Sequence, residues 1–474
     1  MQKPITAREE QLRGLTEKHG QAHLFTWWPE LDTAQREHLL EQIASIDFPV
    51  LDSLINELVI HKGSLKAVNF DPAPIILLPQ SDEEKKKALL AREKGEAILN
   101  AGQVAALVVA GGQGTRLGFT GPKGAFPIGP ISKKPLFAIF AERISAAEKR
   151  YGVPIPWYIM TSPANSQATQ DFFKQNAFFG RSPDQLFFFV QGTLPAVNQS
   201  GKILLSQKHE IAISPDGHGG TFRALEKSGA LEDMHRRGIK EISYFQVDNV
   251  LVRLLDPTFI GYHALAQAEM SSKVVRKISP EEKVGVIGLR NNKLGVIEYS
   301  DLSKVEMYAK DKDANLKYWA GSIAIHMIQL AFIHKLRDRG IRLPFHRADK
   351  KVPYINSNGQ RMEPTEPNGI KFESFIFDAL EFTENAVTME VKRQEEFSPV
   401  KNAEGDNSPQ TARNDLMEVF ASYLREAGIE VPRDVSGALK HKIEISPGWA
   451  LDIEEALKKI PPSLSFDKDL LLTE

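Results

Sequence analysis

The segment Val104–Gly124, VAALVVAGGQGTRLGFTGPKG, constrains the fold more than any other stretch of this sequence. Its apolar beginning, centred on Leu107, Val108 and Val109, is too short for a membrane span and has the character of a strand buried on both faces of a parallel sheet. Gly111, Gly112 and Gly114 then let the backbone turn sharply, adopt positive φ and bring its amides against a ligand. Arg116 and Lys123 follow in the same loop. The first can fork across two phosphate oxygens and the second supplies a compact point charge. Together they predict a cradle for polyphosphate whose cations favour a transition state that gathers charge on a phosphoryl group.

Two common glycine motifs are excluded. The GxxxxGK[ST] phosphate loop needs Ser or Thr directly after its lysine, and here Gly124 follows Lys123. The dinucleotide fingerprint GxGxxG begins at Gly112 and Gly114 but meets Leu117 in place of its third glycine. Lys134, not an acid, stands where the ribose-binding carboxylate belongs. A nicotinamide-dependent dehydrogenase is therefore disfavoured. A glycine cluster alone would also suit a tight strand-to-helix turn with no ligand.

The longer string GGQGTRLGxxxPKG resembles the signature of the UDP-sugar pyrophosphorylases, UTP-dependent sugar-1-phosphate uridylyltransferases, and particularly of the eukaryotic-type UDP-N-acetylglucosamine pyrophosphorylase group. The resemblance continues in order through PWYIMTS (156–162), FFFVQGTLPA (187–196), ISPDGHGG (213–220), VDNVLV (247–252), VIEYSD (296–301), PNGIKFESFIFD (367–378) and EEFSPVKNAEG (395–405). It implies an α/β fold: a Rossmann-like nucleotide-diphosphosugar transferase core with a mostly parallel sheet.

The apolar runs agree with that class. Val104–Ala110, Trp157–Met160, Leu186–Val190 and Ile242–Val247 read as buried strands, with a helix over Phe140–Lys149 between the first two. Three regions are expected: residues 1–97 helical, 98–395 catalytic, and 396–474 a small C-terminal region. Leu51, Leu54, Ile55 and Leu58 repeat at helical spacing, and Thr6 with Glu9 has a capping-box pattern. Glu83–Lys87 reads as a solvated helix face, and Trp27 and Trp28, which could also stack on a ligand, as anchors of the helical layer to the main domain.

Composition bounds partners more than it names them. Over 474 residues, 59 Lys and Arg face 61 acids, for a formal charge of −2, which gives no sign of a nucleic-acid surface. The chain has no cysteine, so disulfide and thiolate chemistry are excluded. The charged N-terminus and the lack of a long apolar run lead to the expectation of a cytoplasmic protein without a membrane partner.

Asp248 ends the run ISYFQV, where a carboxylate at the strand end would suit Mg²⁺ that keeps its waters and shares phosphate oxygens; a helix-capping Asp is the plain alternative. Matching the VDN block favours metal. Gln191 offers both donor and acceptor through one amide, as reading an uncharged base edge requires, although a glutamine in a turn looks the same.

From the resemblance, Gln191, Gly217 and the stretch Val109, Ala110, Gly111 and Gly112 are expected to hold the uridine. Glu298 and Tyr299 would meet sugar hydroxyls, and Gly285 would allow close packing near the C2 substituent. Lys371 and Lys401 match lysines that contact phosphates; Arg116, Lys123 and Lys401 are the expected catalytic cations. Two positions depart from the acetylglucosamine group. His218 stands where asparagine is usual, and Trp319, in YWAGSIAIH (318–326), replaces an asparagine expected near the sugar. An indole cannot accept a hydrogen bond, so the pocket is open to another sugar. His263, His326 and His346 are read as structural.

The expected reaction is in-line attack of a hexose 1-phosphate, with N-acetylglucosamine 1-phosphate first, on the α-phosphate of UTP. UDP-sugar and pyrophosphate are the products. Glucose 1-phosphate or broad sugar specificity stays open, as does a non-catalytic nucleotide-sugar binding protein.

Overall fold

The computed structural model describes residues 7–61, 70–299 and 301–474. Thr6, one half of the expected capping pair, lies outside the described residues, as does Ser300 of the VIEYSD block. The chain divides into two compact units, each assembled from separated segments: 1–68, 191–221 and 343–376 form one, and 69–190, 222–342 and 377–474 the other. The linear order of segments carries no mark of which of them share a core.

The larger unit is built on a ten-stranded sheet. In chain order its strands are β1 (Phe70–Pro72), β2 (Val104–Val109), β3 (Trp157–Thr161), β4 (Leu186–Val190), β5 (Glu241–Gln246), β6 (Met270–Arg276), β7 (Val286–Arg290), β8 (Lys293–Ile297), β9 (Ala320–Gln329) and β10 (Ala386–Glu390). Across the sheet the order is β1-β7-β9-β5-β2-β3-β4, with β6 joining β9 to β10 and β8 extending β7. The block β5-β2-β3-β4 is parallel throughout. β9 runs antiparallel to both β5 and β6. Every residue of β2 is buried, as a strand covered on both faces requires.

The helix expected over Phe140–Lys149 is the middle of α2 (Leu136–Tyr151), which stops at left-handed Gly152. Its Phe137 and Phe140 pack with Trp157, Phe173 and Phe245 in the core on one face of the sheet. α1 (Asp82–Asn100) opens with a Ser81–Glu84 capping box, and Glu83 pairs with Lys87 on its exposed surface, the solvated face expected there. Residues 409–426 form α5, counting α3 (Ser166–Gln175) and α4 (Pro257–Leu265) before it. Leu424 of α5 shares a separate small core with Ile429, Ile443 and Ile460.

In the smaller unit, helices Ala7–Lys18, Thr33–Ser45 and Phe48–Ile55 accompany a three-stranded antiparallel sheet of Phe345–Lys350, Gly369–Ser374 and Val197–Asn198. Leu51 and Leu54 lie in this unit's core with Leu39, Ile43, Ile370 and Phe372. Trp28 belongs to the same core, flanked by the guanidinium groups of Arg13 and Arg36, so it anchors its own unit.

The three histidines named above are held structurally. His263 is buried between Ser271 and Glu241. His326 is buried on β9, with Nδ1 on the Ser272 hydroxyl, and His346 stacks on Phe375. Among the described residues no helix is long and apolar enough to cross a membrane.

Candidate active site

The parallel register positions the candidate residues of the larger unit. Val109 of β2 pairs with Gln246 of β5 on one side and with Met160 of β3 on the other. The glycine loop after β2 and the residues Val247 and Asp248 after β5 therefore leave adjacent strands at the same level, where ligands of open α/β sheets collect.

The loop closes on itself. Gly114 donates to Gly121 O at 2.9 Å and Lys123 donates through its backbone to Gly112 O at 3.1 Å. Between these bonds a single helical turn, Thr115–Leu117, ends at Gly118 with φ +67°. The carbonyls of the cradle are fastened from behind by two residues the sequence reading did not single out. Buried Asn165 donates to Ala110 O at 2.9 Å and to Gly112 O at 3.2 Å, and the Ser162 hydroxyl donates to Gly111 O at 2.9 Å. Ser162 N in turn donates to Asn165 Oδ1 at 2.9 Å. With those carbonyls engaged, the N–H groups of Gly111 and Gly112 have no protein partner among the described residues. They are donors ready for an anion.

Lys123, Asp248, Lys401 and Arg116 form one electrostatic neighbourhood. Burial lowers the pKa of Lys123; Asp248 raises it, while Lys401 and Arg116 push it down further. The Lys401 ammonium stands 4.0 Å from Asp248 Oδ2. This proximity is organised by backbone. Val400 N donates to Asp248 O at 2.9 Å, and the Asn249 side chain bridges to the same strand of chain by donating to Glu396 O at 2.7 Å and accepting from Ser398 N at 3.0 Å. Behind this seam the fully buried Lys273 ammonium joins Asp256 at 2.7 Å and Glu396 at 2.6 Å. Asn249, Ser398 and Lys273 also escaped the sequence reading. An asparagine after an aspartate is locally indistinguishable from a turn residue.

On the sugar side, Gly285 and Glu298 lie together. A Cβ on Gly285 would stand 2.7 Å from Val296 Cγ1 and 3.3 Å from Glu298 Oε1, so a side chain there would crowd the carboxylate. Gly285 O accepts from Ser322 N at 2.8 Å, which brings β9 to the same place. Tyr299 is exposed. The Trp319 indole lies under the Arg276 guanidinium, 4.3 Å from ring centroid to Cζ, and Arg276 is held by Glu390 at 2.7 Å.

The smaller unit carries the remaining expected residues. Gln191 is buried and its amide donates to Gly217 O at 2.8 Å. Gly217 has φ +84°, and a Cβ on it would fall 2.2 Å from Ser374 O, so only glycine fits. Ser374 donates through both N and Oγ to Asp216 O. His218 accepts from Ile376 N at 3.2 Å and lies against Phe375. Lys371 sits three residues before Ser374 on the same strand, and burial lowers its pKa, with Glu373 opposing the shift.

No group of three or more His, Asp or Glu side chains that could enclose a metal occurs among the described residues. A fully protein-built metal cage is absent there. A single half-buried carboxylate, Asp248, beside the cations Lys123 and Lys401 fits the way Mg²⁺ is usually held, with most of its positions left to waters and phosphate oxygens.

Comparison with known proteins places this arrangement in a family. The family model described as UTP–glucose-1-phosphate uridylyltransferase matches residues 54–423. UDP-N-acetylhexosamine pyrophosphorylase-like protein 1 of Homo sapiens is 38% identical over 444 residues, covering 89% of this chain and 86% of its own. UDP-N-acetylglucosamine pyrophosphorylase of Saccharomyces cerevisiae is 38% identical over 442 residues, covering 90% and 93%. Among solved structures, the uridine diphosphate N-acetylglucosamine pyrophosphorylase from Trypanosoma brucei in complex with inhibitor aligns with a TM-score of 0.82 at 28% identity, over 100% of both chains. With its glycine loop, its sheet and most of its length shared in this way, the chain belongs to the UTP–glucose-1-phosphate uridylyltransferase family, and it is a nucleotidyltransferase.

Proposed function

We propose that the protein makes UDP-N-acetylglucosamine and pyrophosphate from UTP and N-acetylglucosamine 1-phosphate. The observation that carries this reading is the gathering of Lys123, Lys401 and Asp248 beside a loop whose Gly111 and Gly112 amides have no partner among the described residues. Relatives named for UDP-N-acetylglucosamine support the choice of sugar.

The sugar phosphate is already ionised and needs no general base, so catalysis rests on positioning and on neutralising charge. Arg116, Lys123 and the two amides hold the triphosphate. Lys401 holds the incoming phosphate, and Lys371 adds a further phosphate contact. Asp248 is the residue that would hold Mg²⁺, which would supply positive charge against the phosphates as negative charge builds up there. Gln191 and Gly217, with Val109–Gly112, hold the uridine. Glu298 accepts from sugar hydroxyls with Tyr299 beside it, and Gly285 leaves room for the substituent at C2.

One observation favours a second reading. Trp319, already stacked under Arg276, and His218, engaged with Ile376 N, replace two asparagines of the acetylglucosamine group. Glucose 1-phosphate, which needs no amide reader at C2, is the competing substrate. Pyrophosphate release from UTP and Mg²⁺ with a panel of sugar 1-phosphates tests both. The acetylated sugar should have the highest kcat/KM, and a higher value for glucose 1-phosphate would reverse the assignment. Binding of UTP with no turnover on any sugar would make the protein a nucleotide-sugar binder instead.

A further inference from the structure

Behind the loop that follows Asp248, the larger unit encloses a cavity of about 90 Å³, bounded by α2, by residues 251–257, by α5 and by the turn after Ile445. That is several times the roughly 10–15 Å³ that one water needs. Its cations are unequally satisfied. Glu142 is paired with Lys134, Asp452 with Arg150, and Asp256 with Lys273, while Glu444 accepts from the backbone of Ile131 and Ser132. Arg143 has no carboxylate within ion-pair distance among the described residues. Its Nη1 donates to Val250 O at 2.7 Å and to Val252 O at 3.0 Å, and its Nε and Nη2 have no protein partner. Burial pushes its pKa down to about 10, a sign of how little compensates its charge. Arg253 reaches Glu395 only at 3.5 Å, and that carboxylate is held at 2.8 Å by Lys392; against the cost of burial, the nearby charges of Glu396 and Asp256 raise the pKa of Arg253, so it keeps its proton while its donors stay only loosely engaged. The Tyr423 hydroxyl makes no hydrogen bond among the described residues and lies within electrostatic reach of both arginines.

We propose that Arg143, Arg253 and Tyr423 form a second anion site, distinct from the nucleotide loop, that takes the phosphate group of a small phosphorylated molecule. Two guanidinium groups and a phenol, rooted on α2, on the loop after β5 and on α5, offer donors from different directions to a tetrahedral oxyanion. Arg143 also couples the site to catalysis, because the carbonyls it holds are those of Val250 and Val252, next to Asp248. An anion that draws on the guanidinium changes how firmly that loop is fixed. This coupling rests on the reading of Asp248 as the metal carboxylate; the binding itself does not.

The test uses inorganic phosphate as probe, titrated calorimetrically into the full chain with its nucleotide site saturated by UDP-N-acetylglucosamine. One phosphate per chain should bind, and Arg253→Gln and Tyr423→Phe should each weaken it about tenfold while leaving turnover without phosphate unchanged. Tyr423→Phe removes only an unbonded hydroxyl, so it tests the site even if the arginine variant folds poorly. Phosphate should also shift the Mg²⁺ concentration for half-maximal rate several-fold in the unmodified protein and not in the variants. Binding that disappears when the nucleotide site is filled, or that both variants retain, overturns the site; binding without a shift in Mg²⁺ demand overturns the coupling. Asp248→Asn turning over normally would defeat the metal assignment and leave the calorimetric result standing.

Discussion

The two units hold their functional candidates in opposite ways. In the larger unit the candidates are charged and come from strand ends: Lys123 from the loop after β2, Asp248 from the end of β5, and Lys401 from a segment joined to it by Asn249 and Val400. Like charges are crowded, and neutral clamps from Asn165, Ser162 and Asn249 keep the geometry. In the smaller unit, Lys371 apart, the candidates are neutral: Gln191 donates to Gly217 O, and Gly217 is fixed by the close approach of its backbone to Ser374. The difference teaches where each kind of energy is stored. Crowded cations leave the larger unit electrostatically strained until an anion arrives, which suits stabilisation of a transition state. A neutral amide anchored by one bond to Gly217 O keeps a donor and an acceptor for a ligand, which suits ground-state recognition.

That contrast predicts a graded series of effects. The largest belongs to Asp248→Asn, which should lower kcat about 10²–10³-fold with UDP affinity little altered. An unchanged kcat at saturating Mg²⁺ would remove the metal from Asp248. Lys123→Ala should cost kcat about 10²-fold; if turnover instead stays near wild type while uridine binding weakens, the lysine belongs to recognition and the contrast breaks. Gln191→Ala should act the other way, raising the KM for UTP about tenfold with kcat nearly kept. A kcat loss as large as that of Lys123→Ala would place the amide in catalysis.

The smallest effect is a pH limb. Burial lowers the pKa of Lys123 below the ordinary lysine value of 10.5, so its charge is lost at a lower pH than that of an exposed lysine. Because this shift belongs to the ligand-free protein, kcat/KM should fall on the alkaline side before pH 10.5 is reached. Lys123→Arg, whose guanidinium keeps its proton, should move that fall upward. Superimposable alkaline profiles would show that another group titrates there.

Much of this was legible in the sequence where the signal is local. The glycine loop, the four strands of the parallel block and the helix now called α2 each follow from a contiguous pattern, and the resemblance supplied Asp248 and Lys401 together although they are far apart along the chain. What the sequence concealed is what depends on distant partners. Asn165 and Ser162 sit in a stretch, TSPANS, that reads as an ordinary helix start, yet their side chains hold three carbonyls of the glycine loop. Asn249 reads as a turn, and its two bonds go to residues beyond Glu395. Trp319 reads as a sugar-facing substitution, while its ring is taken up by Arg276, whose own anchor Glu390 lies on another strand. The division into units was hidden for the same reason, since Gln191–Thr221 and 343–376 interrupt the sequence of the larger unit.

The seam between Asn249 and Ser398 has a temporal consequence. Its two halves are 149 residues apart. During synthesis at about 5–20 residues per second, the glycine loop and Asp248 would wait on the order of ten seconds for the stretch that delivers Lys401. Throughout that interval the nascent chain could already own a nucleotide cradle and still be unable to consume UTP, so activity would switch on abruptly, late in translation.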